Sequence, residues 1–279
     1  MRVAMPLFEF QYIDSDEFKE FMFSDGRLSL RRFTDAQLAA DGAGKALFSE
    51  QDRDHINLER FALVAESSIL KEEVYRQDVS LLLMAFRILG DRITPWIKFR
   101  LSHDADLCSR LDETEHHIRL PRYLYQVYTD ADFPLIDKAY MMLRDAEHVS
   151  TRVKNALFFL YKAFYSVHWL DGFLFCMNAL EALFSLDRGG SATETICRRT
   201  SALLGDPTNW SNSTIKDLYR IRSDITHGRI EASPNSEDNL RLSEKMERVT
   251  KLCFRKLIAI DAFKHFATPS SRHSFLESL

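Results

Sequence analysis

The chain has 279 residues, enough for one large domain or two ordinary ones, and 46% of them are hydrophobic, so a sizeable core is available and global disorder is excluded. Its formal net charge is -4, so the chain as a whole does not attract nucleic acid, and any such contact must rest on a local basic patch. The four cysteines (Cys108, Cys176, Cys197 and Cys253) are widely spaced and form no CxxC pair, which argues against a structural zinc site and against a disulfide framework.

The first residues, Met1 to Pro6, lack the apolar core of a secretion signal. Phe8, Phe10 and Tyr12 alternate with Glu9 and Gln11, the pattern of a half-buried strand. Residues 36–50 hold Gly42, Gly44 and small polar side chains, and are expected to loop out. Ser80 to Leu89 is strongly apolar; its periodicity fits a helix or a buried strand equally. Pro95 to Leu101 alternates again and is a second strand candidate. Residues 1–130 are therefore expected to form a mixed α/β region, closed by the polar, proline-containing stretch Asp130-Ala131-Asp132-Phe133-Pro134.

Beyond it the pattern becomes helical. One helix is expected from about Val153 to Val167 and a second from Leu170 to Leu186, stopped by Gly189-Gly190. A third starts after Ser191 and ends at Gly205. A fourth runs from near Ser213 to Gly228. A fifth begins after Pro234, where Ser236, Glu237 and Asp238 suit a helix N-terminus. Five helices joined by short loops predict an up-down bundle over residues 135–267, followed by a flexible tail over 268–279. The fold class expected is thus mainly α, with a mixed N-terminal region. The most apolar stretch, Ala156 to Phe184, is broken by Lys162, His168, Asp171 and Glu181, so it reads as core helix and not as a membrane span. A cytoplasmic location without membrane contact is the expectation.

The fourth helix carries the chemistry. Ile215, Leu218 and Ile225 trace its apolar stripe, and position 222 on that stripe is an arginine. A guanidinium on an inward face needs a carboxylate, a phosphate or a partner subunit, because an unpaired buried charge is very costly. His227 ends the same helix, where the helix dipole favours a cation. It lies ~140° around from Arg222 on an ideal helix, so the two do not share a face. Ser223, four residues before His227, can face it. An Arg and a His together suit metal-independent RNA cleavage, the His moving protons and the Arg holding phosphate. The alternative is structural: Arg222 pairs with Glu181 or Asp224, and His227 caps the last carbonyls.

Local charge is compatible with RNA. Between Arg188 and Arg229 seven basic side chains, among them Arg198, Arg199, Lys216, Arg220 and Arg229, face four acidic ones. A solvated helix face explains the same surplus. His103-Asp104-Ala105-Asp106 is a polar loop sooner than a metal site, and the His116-His117 pair is a surface feature. No GxGxxG, P-loop or GxSxG occurs, so no nucleotide or metal cofactor is expected.

The segment Leu218-Tyr219-Arg220-Ile221-Arg222-Ser223-Asp224-Ile225-Thr226-His227-Gly228 resembles the signature of Apea-like HEPN domains: a Tyr, then Arg-Ser, a short spacer and His-Gly. The preceding helices resemble the family too, through Ala179-Leu180-Glu181 in an apolar helix and Arg198-Arg199-Thr200-Ser201-Ala202-Leu203-Leu204-Gly205 in the next. The resemblance covers about Val153 to Phe266. It implies a helical bundle that pairs as a homodimer, with a composite cleft acting as a metal-independent endoribonuclease, in toxin–antitoxin or antiphage systems with an antitoxin or defence partner. Carried over, Arg222 binds the scissile phosphate and His227 is the acid/base, with Ser223, Asp224 and Glu181 in support and Lys216, Arg220 and Arg229 contacting RNA. Many nuclease members have Asn, Asp or His where this chain has Ser223, and other HEPN domains are non-catalytic binding modules.

Overall fold

The computed structural model describes residues 2–6, 11–12, 18, 20–24, 26–32, 61–66, 72–91, 99–104, 107–112, 127–166, 168–185, 192–229 and 236–279. These residues are mainly helical, with an antiparallel sheet in the N-terminal part. They form two compact units, which divide at Met141.

The first unit is built on six strands: β1 (Arg2–Pro6), β3 (Glu20–Met22), β4 (Leu28–Arg32), β5 (Phe61–Glu66), β6 (Phe99–Asp104) and β7 (Leu107–Asp112). Their order is β3-β4-β5-β1-β6-β7, and every neighbouring pair is antiparallel. A short parallel pair joins β2 (Gln11–Tyr12) to β8 (Val127–Tyr128). Tyr12 thus lies in a strand as its alternation predicts, whereas Phe8 and Phe10 lie outside the described residues. The second predicted strand reaches β6 through Phe99 to Leu101; its first part, and the predicted 36–50 loop, also lie outside them.

The ambiguous apolar run resolves as helix α1 (Glu72–Leu89), whose residues from Leu81 to Phe86 are all buried. Six consecutive buried residues cover every side of a turn, so this part of α1 needs cover on more than one side, which is why the run shows no clean stripe. Asp78 on α1 is buried and takes an ion pair from Arg27 at 3.0 Å. Phe18 meets Phe61 and Phe133 edge-on, and Phe86 meets Tyr128 in the same way, giving this unit an aromatic core.

Helix α2 spans Asp132–Val149. The second unit continues with α3 (Thr151–Phe164), α4 (Trp169–Phe184), α5 (Ala192–Leu204), α6 (Asn212–Thr226), α7 (Glu237–Ala259), a 3₁₀ helix (Ala262–Ala267) and α8 (Pro269–Glu277). The starts follow serine caps: Ser150 accepts from the Arg152 N–H, Ser211 from Thr214 and Ser236 from Asn239. α4 is the central helix and packs on α3, α5 and α7. It buries Trp169, Phe173, Cys176, Met177, Leu180, Leu183 and Phe184, each large apolar side chain stabilising by about 1.5–3 kcal/mol. Gly172 lets α7 approach, since a Cβ there would stand 3.2 Å from the Ser243 hydroxyl oxygen.

The tail departs from expectation. Residues 269–277 form α8, capped by Thr268 and anchored by buried Arg272 and Leu276. The polar sequence hides this because the anchor is not an apolar stripe. Arg272 donates to the carbonyls of Leu183 (3.1 Å) and Ser185 at the end of α4. Arg199 donates to Phe184 O at 2.8 Å, and Arg152 to Ala182 O at 3.3 Å. Three guanidiniums thus satisfy the carbonyls that a helix C-terminus leaves without partners, and their charge suits the dipole there.

Candidate functional site

The site is organised by the last two turns of α6. Ile215, Leu218 and Tyr219 are buried, and Arg222 and Ile225 continue that face half-exposed. Ser213, Asp217, Arg220, Ser223 and His227 form the opposite, exposed stripe. These two faces are what a 3.6-residue period requires of a surface helix. They place Arg222 at the inner shoulder of α6 and His227 on its outer side.

Arg222 is held from α4. Its guanidinium donates to a carboxylate oxygen of Glu181 in an ion pair with side chains 37% and 31% exposed. The inward arginine has therefore found a carboxylate within its own chain, yet it is still open to solvent. Tyr219, one turn earlier, is buried, and its hydroxyl has no hydrogen-bond partner. Burial first, then the negative charge of Glu181, hold that hydroxyl well above its ordinary value, while the charge of Arg222 opposes the shift. Tyr219 lies in the segment singled out from the sequence, but nothing in the sequence marks its hydroxyl as unsatisfied.

His227 closes α6 in a complete C-terminal cap. Gly228 has φ +68° and donates to Ile225 O at 3.0 Å, and Arg229 donates to Asp224 O at 2.7 Å. This is the Schellman arrangement, which needs a left-handed residue at its glycine. The His-Gly end of the signature thus has a backbone reason for its glycine. The imidazole of His227 is exposed.

The remaining charged candidates on α6 and just after it are paired. Asp224 accepts from the Arg229 guanidinium at 3.1 Å, so the same two residues are joined through backbone and side chain. Lys216 pairs with Glu194 at 2.5 Å, and Arg220 with Asp217 at 3.3 Å. The Lys216 hydrogen bond holds the Glu194 carboxyl below its ordinary value. Ser223 is exposed. One member of the basic patch drops out: Arg199 is fully buried and bound by Glu277 of α8 at 2.6 Å, so it adds nothing to a surface for phosphates. Its burial under a helix end 15 residues away carries no local sequence signal. Arg198 stays exposed, and Arg188 lies outside the described residues.

Among the described residues no three of His, Cys, Asp and Glu gather as a metal site, and no helix is long and apolar enough to cross a membrane. His103 and Asp104 end β6; Ala105, Asp106, His116 and His117 lie outside the described residues. Within one chain, then, the structure joins Arg222 to Glu181, with Tyr219 on the same face of α6, and leaves His227 and Ser223 on the other side. No protein-family model, curated protein or solved structure matches the chain.

Proposed function

We propose that residues 135–267 are an up-down bundle of the HEPN type, and that the chain is a metal-independent endoribonuclease working at a composite site between two copies. The observation carrying this reading is the placement of Arg222 and His227. Both reach solvent near the C-terminal end of α6, but on different sides of it. Two copies meeting along this end of α6 about a two-fold axis would set each Arg222 against the partner subunit's His227. His227 then takes the proton of a ribose 2′-hydroxyl, and the 2′-oxygen attacks the adjacent phosphorus. The 5′-oxygen leaves with the proton that His227 has taken, returning the imidazole to its neutral form, and a 2′,3′-cyclic phosphate remains. Arg222 binds the non-bridging oxygens as their charge grows. Ser223 and Asp224 support the motif, and Lys216, Arg220 and Arg229 steer RNA. A toxin–antitoxin or antiphage role, with a neutralising or defence partner protein, fits such an activity.

The test is RNA cleavage in EDTA by the wild type, Arg222→Ala and His227→Ala. Cyclic phosphate ends from the wild type and loss of cleavage in both variants are expected; full activity in either variant ends the assignment.

A second reading has its own observation. Arg222, Lys216, Arg220 and Arg229 each pair with a carboxylate of this chain, which weakens the attraction for phosphate. It makes the chain a non-catalytic module that binds nucleic acid or a partner protein. Salt-sensitive RNA binding without cleavage products selects this alternative.

A further inference from the structure

Buried donors without acceptors cost stability, so a native fold keeps few of them, and each one calls for a reason. The Tyr219 hydroxyl is such a donor. Tyr219 stands three residues before Arg222 on α6, which puts both side chains on one face. The carboxylate of Glu181 reaches that face from α4 and holds Arg222. Its charge and that of Arg222 are both felt at the hydroxyl.

A guanidinium is a planar fork that takes either a carboxylate or a phosphate. Glu181 and a phosphodiester are therefore rival occupants of Arg222. When a phosphodiester wins, Glu181 loses its partner while still half-buried, and an uncompensated carboxylate there is costly. The unused Tyr219 donor lies on the same face of α6 as Arg222, within the reach of that carboxylate's charge.

We propose that Glu181 is the resident occupant of an anion site at Arg222, and that Tyr219 takes over its carboxylate when a phosphodiester binds. This rests on the phosphate-binding role given to Arg222 above. Tyr219 is then a positioning residue. Its hydroxyl is unsatisfied in the free protein because its acceptor is the displaced Glu181.

The probe is a fluorescent 2′-deoxy oligonucleotide, which lacks the attacking hydroxyl and cannot be cleaved by this chemistry. Its binding is followed by anisotropy at low salt. Tyr219→Phe removes only the unpartnered oxygen, so the variant folds and its Tm is unchanged or raised. The probe should nevertheless bind it about tenfold more weakly, the loss of one hydrogen bond to a charged group. Glu181→Gln should bind several-fold more tightly than wild type. In the Glu181→Gln background the Tyr219→Phe penalty should shrink to within about twofold, because the two residues act as one unit. An equal penalty in both backgrounds, no penalty, no binding by the wild type, or binding indifferent to Arg222→Ala overturns the proposal. Cleavage of the matching RNA is scored separately. Coupling without cleavage removes the nuclease reading and leaves the exchange standing; cleavage without coupling does the reverse.

Discussion

Arg222 on α6 and Glu181 on α4 are 41 positions apart and meet in a half-exposed ion pair. The pair explains how an arginine sits on an otherwise apolar stripe. It also sets a modest expectation for stability. Pairs this exposed are screened by water, so Arg222→Ala and Glu181→Ala should each cost about 1 kcal/mol or less, with a coupling of similar size in the double variant. Urea denaturation of the three variants measures this. If Arg222→Ala instead unfolds the protein, the residue is a structural keystone, and loss of cleavage in that variant says nothing about catalysis.

A composite site makes a sharper demand. Arg222→Ala and His227→Ala should each be inactive alone, yet mixed and re-equilibrated together they should regain activity. A mixed dimer holds one site with an intact Arg222 from one chain and an intact His227 from the other. Recovery of about half the wild-type rate per mixed dimer, roughly a quarter for an equal mixture of which half re-pairs, is expected where single variants lose about 100-fold or more. No recovery in a mixture shown to contain mixed dimers means that Arg222 and His227 do not work across the two chains.

Gly228→Ala tests the end of α6. A Cβ at this position meets nothing within 4 Å, so any penalty comes from the positive φ alone. The expected cost is about 1 kcal/mol, read as a lowered Tm. Because the Schellman bonds to Ile225 and Asp224 fix the turn that presents His227, cleavage should fall further than stability. A Tm equal to that of the wild type would show that the turn tolerates another conformation.

Much of the helical unit was legible because its signals are local. Serine before α6 and α7, glycine after α5 and α6, and apolar spacing within each helix are all read within a few residues. α6 was placed to within about two residues, and Arg222 was singled out by its position on the stripe. The missed features are tertiary. α8 has a polar sequence, and its anchor is a guanidinium bound to carbonyls 87 and 89 positions away. Arg199 looked like surface charge for the same reason: its acceptors belong to α4 and α8. The choice between Glu181 and Asp224 as the partner of Arg222 also needed three dimensions. Helical spacing disfavours Asp224, two residues along, but cannot by itself name a partner on another helix.

Buried thiols predict an alkaline weakness. Burial pushes the Cys197 thiol up to about 12 and raises that of Cys253 as well. The folded chain therefore keeps these protons to higher pH than the unfolded chain, whose thiols titrate near ~8.5. Above that value the unfolded state binds fewer protons, so stability is intact at neutral pH and falls as pH rises towards 12. The urea midpoint should be lower at pH ~10 than at pH ~7, and Cys197→Ala should reduce the difference. Iodoacetamide at pH ~8 should label Cys197 and Cys253 far more slowly in the native protein than in urea, since the thiolate is the reactive form. Rapid native labelling at Cys197 would contradict its burial.

The arginine cluster at the end of α4 makes the C-terminal helix part of the fold. Arg272 is buried, and its removal leaves the Leu183 and Ser185 carbonyls short of a donor in a space that water cannot easily fill. Arg272→Ala should cost about 2–4 kcal/mol, from unmade hydrogen bonds together with the cavity left by the side chain. Arg272→Lys should recover only part of this, because one ammonium cannot reproduce the spread of a guanidinium fork. Glu277→Gln should cost less than Arg272→Ala, since Glu277 is half-exposed and the glutamine keeps an acceptor oxygen for Arg199. Thermal denaturation ranks the three variants. Limited proteolysis then locates the effect: if α8 is held by Arg272, early cleavage should appear after residue 268 in Arg272→Ala and not in the wild type. Equal resistance of the two proteins would mean that Leu276 and the 3₁₀ helix hold α8 without it.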